Sequence, residues 1–377
     1  MSQAVAEAYE VAAPREKSSQ RIPSLDGLRA ISILAVLFGH VAYACHFQNW
    51  ITGTYAHYGV RVFFVISGYL ITTLLLEEES RFGSISLSRF FLRRTFRIFP
   101  VAYLYLLAMT PFVAMAAWKW VVVWLYGSTY VQDLPWNLSH LWSLSVEEQF
   151  YLVWPVAIVA SRRHAKKLAW LAILTAVVAQ YVVGKRFSDV VNPYFFFPCV
   201  MDSLAAGCLL ALYRPRLPRI SPLWWLLLLV APLISGAGEI QTGWPVPQLF
   251  AHLSTVIFDA LVVVLIVEVT KHPPKWLNSP ILVWIGLLSY SLYVWQMPFL
   301  NPAYKINPAI GVLLVFAMAS LSYYFWERPI VNWSHKFVSR RMNKPARLST
   351  PTAPRAETKL GWKPAVDIGC LLIVLPF

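Results

Sequence analysis

Long apolar segments are the feature that most constrains how this chain can fold. Windows near the ~20 residues that a helix needs to cross a bilayer recur at residues 28–48, 58–77, 100–118, 143–161, 168–184, 194–213, 222–238, 248–270, 281–300 and 308–326. Hydrophobic residues make up 58% of the chain and charged residues only 13%, about half the charged share of an average soluble domain. The sequence therefore predicts an all-α, polytopic membrane protein with about ten transmembrane helices.

The positions of the basic residues predict how these helices are oriented. If the N-terminus is cytoplasmic, fourteen Lys and Arg residues fall on the cytoplasmic side and five on the opposite side, as the positive-inside rule expects. The cytoplasmic set is Arg81, Arg89, Arg93, Arg94, Arg97, Arg162, Arg163, Lys166, Lys167, Arg214, Arg216, Arg219, Lys271 and Lys275; the opposite set is Lys119, Lys185, Arg186, Lys305 and Arg61, the last near an outer helix end. We predict cytoplasmic N- and C-termini. The net charge of +14 then reflects topology, and we do not expect a nucleic-acid partner.

Three regions follow from this pattern. Residues 1–23 are predicted to be a disordered cytoplasmic N-terminus, residues 24–333 the transmembrane domain, and residues 334–377 a basic, proline-containing cytoplasmic tail. The stretch 100–131 is apolar enough for two short spans, but two would move the basic residues of 162–167 outside, so we predict one span and an interfacial segment. We recognise no secretory signal peptide. The four cysteines show no metal-ligand spacing, so no metal is expected.

The first span carries a pair of titratable residues. Arg29 stands at its start, and His40 follows eleven residues later. Eleven residues advance a helix by about 16.5 Å and just over three turns, so both side chains lie on nearly one face. We expect Arg29 at the cytoplasmic interface and His40 beyond the midplane, as a neutral imidazole able to accept a proton. A structural histidine hydrogen-bonded between helices is the alternative interpretation.

A cluster of arginines precedes the third span. In ISLSRFFLRRTFRIFP, Arg89, Arg93 and Arg97 recur every four residues, with Arg94 beside them. As an amphipathic helix at the membrane surface, this segment would be ordinary positive-inside decoration. The functional alternative is an anion clamp, because the guanidinium groups of Arg93, Arg94 and Arg97 suit phosphate oxygens. Such a clamp would dock a cytosolic donor that carries a nucleotide.

Acidic and polar side chains recur within the later spans. Glu147 and Glu148 lie near the start of the fourth span, and because adjacent helical residues point about 100° apart, at most one is expected to face a pocket. Asp202 in the sixth span and Glu327 at the end of the tenth are further pocket candidates, as is Tyr293 in the ninth. For each acidic residue an ion pair within the bundle is the competing structural role.

Taken together, these segments resemble the integral-membrane acyltransferase 3 family, which modifies bacterial envelope glycans. The segments that carry the resemblance follow in order from about Leu25 to Pro329: LDGLRAISILAVLFGHV, GVRVFFVISGYLIT, RRTFRIFP, HLWSLSVEEQFYLVWP, MDSLAAG, LSYSLYVWQMPF and FWERP. The resemblance implies ten spans in the bacterial inner membrane. It also implies an acyl-CoA donor, usually acetyl-CoA, that arrives from the cytoplasm, and a sugar hydroxyl that is acylated at the outer side.

The resemblance also assigns roles to individual positions. The matched residues are the essential pair Arg29 and His40, the donor-linked pair Arg94 and Arg97, and the acidic residues Glu147 and Glu327. One position departs from the family: Gln296 stands where members commonly carry histidine in the ninth span. A mechanism that needs a histidine at that position is therefore in doubt for this chain.

Several functional alternatives remain open at this point. His40 could act as a general base, or it could carry the acyl group before transfer. Longer family members carry a fused hydrolase-like domain that this sequence does not show, so a second transfer step would use a separate envelope-polysaccharide biosynthesis protein. A transporter of a lipid-linked sugar or acyl donor would also suit buried Arg, His and Glu side chains. A scaffold within an envelope-synthesis complex is a third class.

Overall fold

The structure is a computed structural model, and it describes residues 22–47, 50–215 and 248–342. Across these ranges the regular structure is entirely helical. The helices are α1 (Pro23–Ala44), α2 (Trp50–Phe82), α3 (Leu87–Met109), α4 (Ala117–Trp124), α5 (Trp136–Ser139), α6 (Leu141–Ala160), α7 (Ala165–Arg186), α8 (Phe197–Tyr213), α9 (Gln248–Lys271), α10 (Pro280–Phe299), α11 (Pro308–Ser322) and α12 (Arg328–Met342). Short 3-10 turns lie at Ser128–Tyr130, Arg162–His164 and Pro302–Tyr304, and a π-helical turn at Tyr323–Glu327 joins α11 to α12.

Six stretches of the described chain are long and apolar enough to cross a membrane. They are Pro23–Ala44, Tyr55–Phe82, Arg162–Arg186, Leu253–Lys271, Pro280–Phe299 and Pro308–Val338. Each overlaps one predicted span, and the all-helical class is confirmed for the described residues. The predicted fourth span is helix α6, which carries two glutamates, and the predicted sixth is the 17-residue α8. The predicted seventh span, 222–238, lies outside the described residues, so the count of ten helices and the orientation of the termini stay predictions.

The third predicted span has the wrong bounds. We expected a surface helix followed by a span at 100–118, but one continuous helix, α3, begins at Leu87 and ends at Met109. The Ser86 side chain accepts a hydrogen bond from the Arg89 amide (3.4 Å) and caps the start of the helix. The arginine-rich segment and the apolar segment are therefore one rod. Helix α4 has eight residues, about 12 Å of helix, which is too short to cross a bilayer.

The predicted ends of the chain are described only in part. Residues 1–21 and 343–377 lie outside the described residues. The predicted start of the cytoplasmic tail, at residue 334, falls within helix α12, which continues to Met342.

Helix α1 lies between α2 and α10, and this packing positions the candidate site. Helix α2 also packs on α8, α8 on α7, α10 on α11, and α12 on α3. Gly286 of α10 lies against the backbone carbonyl of Asp26, and a Cβ at that position would collide with it. The absence of a side chain lets α10 approach α1 closely, so that polar groups on the two helices can bond directly.

A buried ion cluster ties α2 to α8 and α9. Arg61 Nη2 lies 2.7 Å from Asp202 Oδ2 and 2.6 Å from Asp259 Oδ2, and Ser203 Oγ donates to both Asp259 oxygens at 3.1 Å. Only 1% of Arg61 is exposed. The sequence placed Arg61 near an outer helix end and did not predict that its side chain is buried among carboxylates. Two carboxylates offset the cost of desolvating its guanidinium, which allows the arginine to lie inside the bundle.

Candidate functional site

One face of α1 carries both members of the predicted pair. Pro23 opens the helix at its first turn, where a missing amide hydrogen costs nothing, and Asp26 lies in that first turn. Arg29 and His40 are both half-buried. Their separation along the helix is about 16.5 Å. We call the end of the bundle that contains Arg29 the Arg29 end, and the end that contains His40 the His40 end.

The His40 ring is held by a buried amide from α10. His40 Nδ1 lies 2.9 Å from Gln296 Oε1, and Gln296 is fully buried. Gln296 Nε2 donates to the backbone carbonyl of Tyr293 (3.1 Å), which turns Oε1 towards the imidazole. Because Oε1 can only accept, this network assigns the proton to Nδ1 and leaves a lone pair on Nε2. The position that departs from the family pattern thus contacts the matched histidine directly.

A second buried histidine, His140, lies at the start of α6. Pro298 in α10 has no amide hydrogen, so the carbonyl of Val294 has no partner in the helix ladder. His140 Nε2 lies 3.1 Å from that carbonyl and therefore carries a hydrogen, while Nδ1 has no hydrogen-bond partner among the described residues. Tyr293 Oη donates to the His140 carbonyl (2.8 Å) and accepts from Ser143 Oγ (2.6 Å). Tyr293, a predicted pocket residue, therefore ties α10 to α6.

At the Arg29 end, several guanidinium groups and carboxylates lie close together without forming salt bridges in the described part of the chain. The charges that act on Arg29 come from Arg97, Asp26, Glu147 and Glu327. None of Arg29, Arg93, Arg94 and Arg97 forms a salt bridge within the described ranges.

The arginines of α3 differ in their surroundings. The Arg94 guanidinium is half-buried and lies over the Tyr151 ring, 5.0 Å from its centroid. Arg93 and Arg97 are exposed. Arg89, by contrast, pairs with Glu78 at 3.4 Å. The guanidinium groups that form no ion pair keep N–H donors free for an anion.

Two adjacent glutamates of α6 approach this arginine cluster. Glu147 is half-buried, accepts a hydrogen bond from Ser67 Oγ (2.6 Å), and is acted on by Arg94 and Arg29. Glu148 is buried, and its Oε1 has no partner in the described part of the chain. Both glutamates act electrostatically on Arg94; that at most one of them faces a pocket stays a prediction. The hydroxyl of Ser67, within GVRVFFVISGYLIT, was not singled out by the sequence pattern.

The π-helical turn positions Glu327. Such a turn inserts an extra residue into an α-helix and is often found at functional sites. Glu327, its last residue, is buried, while Phe325 and Trp326 are exposed. Ser291 Oγ donates to Glu327 Oε2 at 2.9 Å, and Arg97 and Arg29 are its charged neighbours. The turn therefore brings a carboxylate from the end of α11 to the cluster on α1 and α3.

The structure divides the predicted site residues among four places. Arg29, Arg94, Arg97, Glu147, Glu148 and Glu327 lie at the Arg29 end; His40 and Tyr293 lie at the His40 end; Arg93 is on the exposed side of α3; and Asp202 pairs with Arg61. The sequence missed His140, Asp259 and Trp136, whose ring meets His40 edge-on at a centroid distance of 5.9 Å. The one sequence signal for His140 was Pro298, which leaves the carbonyl of Val294 without a partner in the helix and so available to a side chain such as His140.

Residues 22–343 match the sequence model of the acyltransferase domain of the acyltransferase 3 family. The chain belongs to this family. Its similarity to the peptidoglycan O-acetyltransferase OatA of Listeria monocytogenes is 30% identity over 329 residues, which cover 75% of this chain and 50% of OatA. A Staphylococcus aureus protein with the provisional name of an O-acetyltransferase is 29% identical over 341 residues, covering 80% of this chain and 54% of that protein.

The chain spans about half the length of the curated relatives it matches. No solved structure matches it. The family match covers every helix of the described bundle, from α1 to α12, so the charged Arg29 end and the His40 end both belong to the acyltransferase domain.

Proposed function

We propose that this acyltransferase is an O-acetyltransferase of the cytoplasmic (inner) membrane that moves an acetyl group from cytosolic acetyl-CoA to a hydroxyl of a cell-wall glycan. The observation that carries the proposal is the arrangement along α1. Unpaired guanidinium groups gather around Arg29, and a base with a defined free nitrogen, His40, lies about 16.5 Å further along the same face. The names of the relatives support peptidoglycan as the acceptor.

The phosphates of the donor bind at the Arg29 end. Arg93 and Arg97 are exposed and meet the donor first, and Arg94 and Arg29 lie deeper. Charge-assisted bonds from planar guanidinium forks are the strongest that phosphate oxygens form with protein side chains. The phosphates stay in water, and only the uncharged arm of the donor enters the bundle, because charge is costly within a bilayer. About half a bilayer, ~15 Å, separates the binding site from the reaction site.

His40 accepts the proton of the acceptor hydroxyl. As the hydroxyl oxygen attacks the thioester carbonyl carbon, Nε2 of His40 takes the proton, and the Nδ1–H bond to Gln296 stabilises the positive charge that forms on the ring. The tetrahedral intermediate then collapses, and the carbon–sulfur bond breaks. The proton returns from Nε2 to the departing sulfur, so the products are the acetylated sugar and free CoA.

The acidic residues at the Arg29 end hold the arginines in place. Glu147, bonded to Ser67, and Glu327, bonded to Ser291, act on Arg29 from two different helices. Neither approaches within salt-bridge distance of it. The arginines therefore keep donors free for phosphate while the carboxylates offset their mutual repulsion. Glu147 and Glu327 are positioning residues in this proposal.

The test is release of free CoA by the purified protein in detergent, with acetyl-CoA as donor and peptidoglycan fragments as acceptor. We expect glycan-dependent thiol release from the wild type, and a loss of about 10²- to 10⁴-fold in His40→Ala. His164→Ala is the matched control, because His164 is an exposed histidine in the turn between α6 and α7. A carrier of lipid-linked sugars would release no CoA, and a scaffold would be indifferent to the loss of His40.

The same assay separates two routes for the acyl group. If the acetyl group rests on Nε2 of His40 before transfer, incubation with radiolabelled acetyl-CoA and no glycan will label the protein, and His40→Ala will abolish the label. Direct transfer leaves the protein unlabelled while glycan acetylation proceeds.

A further inference from the structure

A cavity opens at the His40 end of the bundle. Its volume is about 290 Å³, close to the lower limit of ordinary small-molecule sites. It is lined by Tyr43, His46, Trp136, Asn301, Pro302 and Ala303. These residues come from three separate parts of the chain: the end of α1, the short helix α5, and the turn after α10.

Two stacked aromatic rings form one wall of the cavity. The rings of Tyr43 and Trp136 lie 4.3 Å apart at 29°. Trp136 Nε1 donates to the carbonyl of Met297 (3.1 Å), which ties α5 to the end of α10. The wall is thus fixed by a hydrogen bond and a stacking contact. Tyr43 remains 39% exposed, so ring surface is left for a bound molecule.

The cavity also carries polar groups without partners. Neither the Tyr43 hydroxyl nor the His46 imidazole has a hydrogen-bond partner among the residues that the structure describes. The Asn301 side chain, by contrast, is engaged: its Oδ1 accepts from the Ala303 amide (3.0 Å), and its Nδ2 donates to Asn137 Oδ1 (2.8 Å). The rim is therefore held in shape, while a hydroxyl and an imidazole stay free for a ligand.

This combination matches the chemistry of a sugar ring. A pyranose presents a flat face of C–H groups that packs on an aromatic ring, and hydroxyls around its edge that bond to phenol and imidazole groups. Trp136 belongs to the cavity wall and also meets His40 edge-on, with ring centroids 5.9 Å apart. A sugar on the Tyr43–Trp136 wall would thus be separated from the base by one side chain.

We infer that this cavity binds one sugar unit of the glycan acceptor and so holds the adjoining part of the glycan near His40. The inference rests on the proposed function and names the acceptor subsite for it. Aromatic residues near span ends also occur as membrane anchors, and the cavity distinguishes two of them here: Tyr43 lines it, whereas Phe47, which is 67% exposed, does not.

Binding is measured first, without any reaction. Purified protein in detergent is titrated with a tetrasaccharide of N-acetylglucosamine in a calorimeter, with no donor present. We expect Tyr43→Ala to weaken binding about tenfold, the factor that corresponds to losing one stacking contact. Tyr43→Phe, which removes only the hydroxyl, should weaken it less. Phe47→Ala is the control and should bind as the wild type does. No binding by the wild type, or equal losses in Tyr43→Ala and Phe47→Ala, would overturn the inference.

Kinetics then separate the inference from the proposed function. If the wild type releases CoA, we expect Tyr43→Ala to raise KM for the glycan about tenfold and to leave KM for acetyl-CoA unchanged. An unchanged KM for the glycan overturns the subsite and leaves the transferase proposal intact. Tetrasaccharide binding that depends on Tyr43, together with no CoA release by the wild type, supports the subsite and overturns the transferase proposal.

Discussion

Gln296 Oε1 lies 2.9 Å from Nδ1 of His40. The amide is fully buried, and its Nε2 is committed to the carbonyl of Tyr293. The glutamine therefore selects the tautomer of His40 and fixes the ring, as a carboxylate or backbone carbonyl does at other histidines. The residue at which this chain departs from the family pattern is therefore the hydrogen-bond partner of His40.

The first prediction concerns this bond. Gln296→Leu removes the acceptor for Nδ1–H, so the ring can rotate and exchange tautomers. We expect kcat to fall about ten- to hundredfold, because the free energy that one to two hydrogen bonds contribute to holding the ring is lost. KM for both substrates should change little. Gln296→His restores a group that can accept from Nδ1–H, and it should recover most of the rate. A wild-type rate and pH profile in Gln296→Leu would show that the amide plays no part in positioning His40.

The second prediction concerns donor binding. Arg97→Gln and Arg94→Gln each remove a guanidinium from the unpaired cluster, and we expect KM for acetyl-CoA to rise about tenfold or more for each, because hydrogen bonds to charged groups contribute ~1.5–3 kcal/mol. Added salt should raise the wild-type KM and have less effect on the variants. Arg89→Gln is the matched control on the same helix, since Arg89 is already paired with Glu78. Equal effects in Arg89→Gln and Arg97→Gln would point to the general surface charge of α3.

The third prediction concerns the buried ion cluster of α2, α8 and α9. Arg61→Met leaves Asp202 and Asp259 buried without their cation, and we expect the free energy of unfolding to fall by about 3–5 kcal/mol. The triple variant Arg61→Met, Asp202→Asn, Asp259→Asn removes all three charges and should recover much of that loss. Thermal unfolding in detergent, with size-exclusion chromatography as the readout, measures the stability of both variants. An Arg61→Met protein as stable as the wild type would mean that the cluster contributes nothing to stability.

The fourth prediction concerns the contact between α1 and α10. A methyl group at Gly286 meets the carbonyl of Asp26, so Gly286→Ala should push the helices apart, lower stability by about 1–3 kcal/mol, and reduce the rate by lengthening the bond between His40 and Gln296. Gly184→Ala on α7 is the control, because nothing lies within 4 Å of a Cβ there. It should be neutral, or stabilising by up to ~1 kcal/mol. Loss of stability in both variants would indicate a general intolerance of alanine.

Sequence periodicity and composition predicted the helical class and the face shared by Arg29 and His40, because both depend only on residues close together in the chain. The bounds of α3 were missed because Pro100, which favours a helix boundary between the arginine-rich and the apolar segments, instead lies inside one continuous helix. The burial of Arg61 was missed because its partners, Asp202 and Asp259, lie on other helices. His140 and Trp136 were missed because their hydrogen-bond partners are backbone carbonyls of α10, which lie far away in the sequence.

The spacing along α1 has a consequence for the choice of donor. Backbone hydrogen bonds hold Arg29 and His40 at a fixed distance along the helix, and this distance does not change when a substrate binds. If the arginines bind the phosphates of the donor, its thioester can reach the imidazole only when the chain between the phosphates and the thioester spans that distance. Acetyl thioesters of short thiols, which lack the phosphate-bearing head group, should therefore bind weakly. At a concentration at which acetyl-CoA saturates the protein, they should react slowly.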